Sequence, residues 1–364
     1  MPRVYDTIKE YLVLPKIIHI VGTNGKGTTG RFLATALMNA GYKTAHYSSP
    51  HILKFNERIW FNGKNIDDES LENAHKQLLR MINLEDAESL SYFEYTTLLA
   101  LWIFQDVEYA VLEAGLGGEY DATAVFKNIL TIVTPIDKDH EAFLGNSIQE
   151  IATTKLNAMQ KKVILAKQSY QDIYTIAHEI ALKKGVNVYR VDELLNDSDR
   201  LHVEQIRDNL HLTSYLKENL SVSIAALNSL GISYKKEYFD NSRLFGRVSE
   251  LDENIMVDVG HNPLAAKALR DALRDKKYIL IYNTYKDKDY KEILSILKPI
   301  IEHVQILEIE NQRIESYHFL EKSLMDLAIP FQRFKEIKAG KKYLVFGSFS
   351  VVEKFVHVYK ESYE

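Results

Sequence analysis

Gly22, Thr23, Asn24, Gly25, Lys26, Gly27 and Thr28 bring small residues, a lysine and a hydroxyl into one short run. That composition suits a phosphate cradle. Glycines let successive backbone N–H groups turn toward one anion, a helix starting there adds its positive end, and Lys26 can reach β and γ oxygens. The spelling departs from the standard pattern: Ile20 stands where its first glycine would fall, and Gly27 separates Lys26 from Thr28. A glycine-rich turn with an incidental lysine is the competing reading. Glu113 follows the apolar run Tyr109 to Leu112 and precedes Gly115, Gly117 and Gly118. It therefore falls at the carboxyl end of a strand, where open α/β sheets build their sites. His140 reads, on its own, as a polar loop histidine. Asp258, His261 and Asn262 follow a further apolar run, and Pro263 suits the first turn of a helix. A helix start of this kind favours negative charge. Simple capping by Asp258 and Asn262 explains the same residues.

These groups need a frame. Lys16 to Val21 reads as a strand, and Phe32, Leu33, Ala36, Leu37 and Ala40 recur with helical spacing before Gly41. Strand, glycine-rich turn and helix open a nucleotide-binding α/β fold. Further apolar runs at 44–47, 109–112, 130–133 and 163–166 read as strands, with helical patterns at 93–104, 148–159 and 215–230 between or after them. A polar stretch, 233–247, then reads as a connection. A second alternating set follows: strands at 255–258, 278–282, 304–309 and 343–346, helices at 263–273 and 290–297, and a helix after Ser350. The expectation is an α/β protein with two domains, residues 1–243 and a smaller one over 244–364, each built on a mainly parallel sheet covered on both faces.

Composition narrows the function. The chain has 364 residues, 46% hydrophobic and 26% charged, with a net charge of −5 and no cysteine. The charge balance offers no footprint for nucleic acid and no polybasic membrane anchor. Lack of cysteine excludes disulfides, thiol catalysis and cysteine-ligated metal. No run of about 18 apolar residues occurs, and no targeting segment is visible, so the expectation is a soluble cytoplasmic protein.

The run from Gly22 to Thr28 resembles the P-loop of the Mur ligase superfamily, in the form used by folylpolyglutamate and dihydrofolate synthases. The resemblance continues in order along nearly the whole chain. It takes in Ser48, Ser49, Pro50 and His51 with Phe55 to Ile59, then Tyr92, Phe93 and Glu94, then Leu112 to Gly118 with Asp121, Ala122 and Thr123. Asp139, His140, Leu144, Gly145, Lys155, Asn219, Gly246, Arg247, Asp258 to Pro263, Asp287 to Asp289, Gly347 and Ser348 complete it. The chain departs from the family's pattern at Glu119, where arginine is usual, at Ala124, where asparagine is usual, and at Lys138 and Thr154.

The resemblance implies a P-loop NTPase-like Mur ligase central domain with a mainly parallel sheet, and a smaller C-terminal Rossmann-like α/β domain that binds glutamate. It implies an ADP-forming ligase joining L-glutamate to dihydropteroate, a folate or both through an acyl phosphate, acting as a cytoplasmic monomer without nucleic acid or membrane partners. ATP and two Mg²⁺ ions are the implied cofactors. Gly22 to Thr28, Asn219, Arg247 and Asp258 would bind ATP; Ser49, Glu113 and His140 would hold the first Mg²⁺. Lys155 resembles the lysine that family members carbamylate as a ligand to the second, which removes the repulsion between an ammonium and the ion. Asp258, His261 and Ser348 would bind glutamate. Lys26, Lys155 and His261 are the implied catalytic residues, His261 as a candidate base. Two other readings compete: a Mur-type ligase for a different carboxylate, and a P-loop switch whose nucleotide state governs a protein partner.

Overall fold

Lys16–Val21 forms β1, buried from Ile17 onward as a strand covered on both faces must be. The structure, a computed structural model, describes residues 1–363. In the first of its two units, Met1–Arg243, the further strands are β2 (Thr44–Tyr47), β3 (Ile59–Phe61), β4 (Lys64–Asn65), β5 (Tyr109–Glu113), β6 (Leu130–Val133), β7 (Lys162–Leu165) and β8 (Asn187–Arg190). They line up as β4-β3-β2-β5-β1-β6-β7-β8. β2, β5, β1, β6, β7 and β8 run parallel, whereas β3 and β4 turn back antiparallel at one edge. Ile20 pairs with Glu113, Val21 with Val133 and Tyr47 with Leu112. With the strand ends aligned, the loops that follow β1, β2, β5 and β6 leave the sheet at the same edge. β1 lies between β5 and β6, so the chain changes direction across the sheet there, the usual place for a ligand crevice.

One face of this sheet is covered by the Lys26–Asn39 helix and the Ser214–Ser229 helix, through Phe32, Leu33, Leu37, Leu220, Ile224 and Leu227. The other face holds Tyr47 and Leu112 against Leu98, Leu101 and Phe104. The Ile148–Leu156 helix starts on a capping box, Ser147 with Glu150, and packs Ile151 and Leu156 beside Val133 and Val163.

In the second unit, from Leu244 onward, β9 (Ser249–Asp252), β10 (Ile255–Asp258), β11 (Tyr278–Tyr282), β12 (Ile301–Ile306), β13 (Phe331–Arg333) and β14 (Tyr343–Phe346) form a sheet ordered β13-β12-β11-β14-β10-β9. Only β9 is antiparallel to its neighbour. β12 spans 301–306 rather than the 304–309 read from the sequence. Ile301 pairs with Tyr278 and Ile306 with Tyr282, while the exposed Glu302 at the strand's start hides it from a hydropathy reading. No helix among the described residues is long and apolar enough to cross a membrane.

Candidate active site

The loop after β1 wraps into the helix Lys26–Asn39. Gly25, its N-cap, has φ = 86°, and a Cβ there would come within 2.4 Å of Asn219 Oδ1. Only glycine satisfies both the left-handed backbone and the close approach. Thr23 and Asn24 donate their N–H groups to the Pro135 carbonyl at 2.9 and 3.2 Å, which ties the loop to the segment after β6. Lys26 Nζ donates to the Thr23 carbonyl at 3.3 Å and lies 3.6 Å from Glu113 Oε1. The other Glu113 oxygen accepts from the Ser49 N–H at 3.3 Å. Thus Lys26, Glu113 and Ser49, from the loops or ends of β1, β5 and β2, meet at one point. Ser49 is held there by its own loop: the Glu57 carboxylate accepts from the N–H groups of Ile52, Leu53 and Lys54, and Arg58 Nε donates to His51 Nδ1.

Lys155 is buried, and its Nζ donates to the Gly22 carbonyl at 2.9 Å. Burial, then the Lys26 charge, pulls its pKa down to about 7 against the opposing pull of Asp139 and Asp121. The chain segment after Glu113 is packed directly onto this lysine's turn. A Cβ on Gly118 would meet the Lys155 carbonyl oxygen at 2.7 Å and its Cα at 2.9 Å. Glu119 donates its N–H to the Thr154 carbonyl at 3.0 Å, and its carboxylate accepts from Asn157 Nδ2 at 2.8 Å. The same segment is fastened to β1 from below. Asp121 accepts from the Leu116 N–H at 2.9 Å and from the Thr123 hydroxyl at 2.5 Å. That hydroxyl therefore accepts from His19 Nε2, 2.8 Å away.

His140 heads the short helix Glu141–Leu144 in a left-handed conformation, φ = 52°, with its N–H on Asp139 Oδ1 and its Nε2 3.8 Å from Asp139 Oδ2. Asp139 thus acts on both His140 and Lys155. A buried glutamine, Gln168, holds the segment that leads to it. Gln168 Oε1 accepts from the Ile136 N–H at 2.9 Å, and Nε2 donates to the carbonyls of Ala166 at 2.9 Å and Thr134 at 3.4 Å.

In the second unit, Asp258 at the end of β10 spends both carboxylate oxygens on backbone, Oδ2 on the Val248 N–H at 3.0 Å and Oδ1 on the Gly260 N–H at 2.8 Å. Val248 has φ = 45°, an expensive conformation for a β-branched residue. Asp258 therefore holds the turn that presents Arg247, a backbone duty the sequence did not reveal. His261 Nδ1 faces the Val259 carbonyl at 3.1 Å, so Nδ1 carries a proton and donates it there. Asn262 caps the Pro263–Leu273 helix through the Ala265 N–H at 2.9 Å, as the capping reading had it. Ser348 is fully buried and its hydroxyl accepts from the Val351 N–H at 3.2 Å, capping the helix Phe349–Tyr363.

No family model matches the chain. Individual relatives do. The dihydrofolate synthase/folylpolyglutamate synthase of Haemophilus influenzae is 30% identical over 94% of this chain and 88% of its own length. The chain belongs to the dihydrofolate synthase/folylpolyglutamate synthase family. The Escherichia coli member is 31% identical over 82% of this chain and 74% of its own. Among solved structures, Helicobacter pylori folylpolyglutamate synthetase is 39% identical with a TM-score of 0.81, covering 99% of this chain and 94% of that one. The Escherichia coli family member in complex with DHPP and ADP is 26% identical, with a TM-score of 0.85 over 100% of this chain and 93% of that one. The family fold expected from the sequence, a P-loop sheet with a smaller Rossmann-like α/β unit, is the fold found.

The family's nucleotide chemistry fits the residues present. Thr28 Oγ1 and Asn219 Nδ2 are buried beside the loop with no hydrogen-bond partner among the described residues, and phosphate oxygens would supply acceptors there. No three His, Asp or Glu side chains among the described residues converge as a metal cage. His19, Gln168 and Phe349, whose ring lies beneath Arg247 and His261, are structural supports that sequence reasoning missed. Their contacts join positions far apart in the chain, and no spacing rule signals them.

Proposed function

We propose that this chain is an ADP-forming ligase that uses ATP to join L-glutamate to dihydropteroate, a folate or both. The meeting of Lys26, Glu113 and Ser49 at the end of β1, with Lys155 anchored on Gly22, is the observation that supports it most. Phosphoryl transfer needs little covalent help from the protein and much positioning of charge. The backbone N–H groups of the loop and the Lys26 ammonium gather the β and γ phosphate oxygens and stabilise the charge that develops on the transferring group. Asn219 gives its buried amide to the nucleotide, and Arg247 binds phosphate. The substrate carboxylate is thereby converted to an acyl phosphate. The glutamate amine attacks that carbonyl, phosphate leaves, and the amine's proton passes to a base, with His261 Nε2 as candidate. Asp258, His261 and Ser348 lie at the glutamate site of the second unit. The carboxylate of Asp258 and the hydroxyl of Ser348 also accept from backbone N–H groups, which fixes both side chains in place.

Ser49, Glu113 and His140 would hold a first Mg²⁺, and a carbamylated Lys155 would help hold a second. Bound there, the ions neutralise phosphate charge. Burial and the neighbouring Lys26 charge favour a neutral Lys155 amine, which can add carbon dioxide, and the resulting anionic carbamate would be attracted to Lys26 rather than repelled by it. The protein is proposed to act as a cytoplasmic monomer.

The substitution Glu113→Gln keeps the side chain's size and removes its charge. Turnover is expected to fall about a hundredfold or more, the cost of losing a positioned group of this kind, while the melting temperature stays near that of the parent. Turnover within a few fold of the parent would remove Glu113 from the site.

A further inference from the structure

We infer that Phe349 is a positioning residue whose ring holds Arg247 and His261 in place together; this rests on the reading above, in which Arg247 serves ATP and His261 serves glutamate. The Arg247 guanidinium carbon lies 5.2 Å from the centre of the Phe349 ring. The His261 ring lies 6.4 Å from the same centre, tilted by 56°. Both contacts fall within the range in which cations and rings attract an aromatic face or edge.

The platform is rigid. Phe349 is the first residue of the helix Phe349–Tyr363, capped by the Ser348 hydroxyl on the Val351 N–H, with the Val352 N–H on the Ser348 carbonyl at 3.2 Å. Val351, Val352 and Phe355 are buried, and Ser350 Oγ pairs with the Tyr285 hydroxyl at 2.9 Å. The ring itself is half-buried, with room for two partners.

Its partners are fixed from their other sides. Arg247 donates its side-chain N–H to the Gly246 carbonyl at 3.1 Å, its backbone N–H to Ser249 Oγ at 3.2 Å, and is followed by the left-handed Val248 that Asp258 holds. His261 is held by Val259. An arginine pays several rotamers to reach one position, and a flat ring beneath it removes most of that freedom. One side chain thus orders two residues assigned to two different substrates, so losing it should affect both apparent affinities at once.

The test compares Phe349→Leu, Phe349→Trp, Arg247→Ala, His261→Ala and the double variant Phe349→Leu/Arg247→Ala in the full chain. KM for ATP and KM for glutamate are measured separately from kcat, with a thermal melt for each protein. Phe349→Leu is expected to raise each KM about two- to fivefold, the scale of one cation–ring or ring–ring contact. Phe349→Trp, which keeps a ring, should hold both within about twofold of the parent. The double variant should have the same KM for ATP as Arg247→Ala alone, because the ring acts through the arginine. If Arg247→Ala and His261→Ala raise the two KM values but Phe349→Leu raises neither, the platform is overturned and the site reading stands. If neither alanine variant changes a KM, the site reading fails and the platform with it. Should Phe349→Leu not fold, Phe349→Trp decides: both KM values near those of the parent support the platform, and a rise in either to the level of the matching alanine variant overturns it.

Discussion

Gln168→Met removes three hydrogen bonds without removing much volume. The glutamine is buried, and in its place the Ile136 N–H would lose its acceptor while the carbonyls of Ala166 and Thr134 lose a donor. Orphaning one buried backbone group costs about 1–3 kcal/mol. The Thr134 bond is the longest and counts least, so two groups matter, for a total of about 2–6 kcal/mol. In a unit of this size that lowers the melting temperature by about 4–24 °C. The loss is local, though. Ile136 follows Pro135, whose carbonyl takes the Thr23 and Asn24 N–H groups, and Asp137 exchanges hydrogen bonds with the Thr23 hydroxyl. The substitution should therefore weaken ATP binding, raising its KM about fivefold or more while KM for glutamate changes little. Gln168→Glu should be at least as damaging, since a buried carboxylate still accepts from Ile136 but is repelled by two carbonyl oxygens. Thermal melts with and without ADP, together with both KM values, measure this. A Gln168→Met protein that melts within about 2 °C of the parent, with its KM for ATP unchanged, would refute the reasoning.

Two further outcomes follow from the same geometry. Gly118→Ala should separate the loop after β5 from the Lys155 turn, because its Cβ meets backbone atoms at 2.7 and 2.9 Å; about 1–3 kcal/mol of stability and most of the turnover should be lost, and a fully active variant would show that this packing is dispensable. Stability should also fall in mild acid. Burial lowers the His19 pKa to about 4, with Asp121 acting the other way, whereas the unfolded chain protonates near 6.5. The stabilisation is thus complete above pH 6.5 and is lost as pH falls toward 4, by up to about 3 kcal/mol. His19→Gln should flatten that decline in a pH series of urea unfolding curves, and an unchanged slope would contradict it.

The sequence made the phosphate loop legible because its chemistry is local. Gly22 to Thr28, the strand before it and the helix after it lie within one short stretch, and Glu113 and Asp258 were marked as strand ends by the apolar runs before them. What it hid was of two kinds. β3 and β4 are three and two residues long at an antiparallel edge, and β8 is exposed at both ends, so none shows a hydrophobic period. The second kind is the long-range polar support. His19 and Thr123 are 104 residues apart and Gln168 and Ile136 are 32 apart, so each reads alone as an ordinary polar residue. Asp258 was legible as the carboxylate at the end of β10, yet its bond to the Val248 N–H depends on a left-handed valine, which no sequence rule anticipates.

The central claim is most directly tested by identifying the product. Purified protein with ATP, Mg²⁺ and L-glutamate is incubated separately with dihydropteroate and with tetrahydrofolate, and the products are weighed by mass spectrometry. The account predicts dihydrofolate in the first tube, one or more added glutamates in the second, or both, with ADP formed in step with each new amide bond. ATP binding without any glutamylated product in either tube would contradict it.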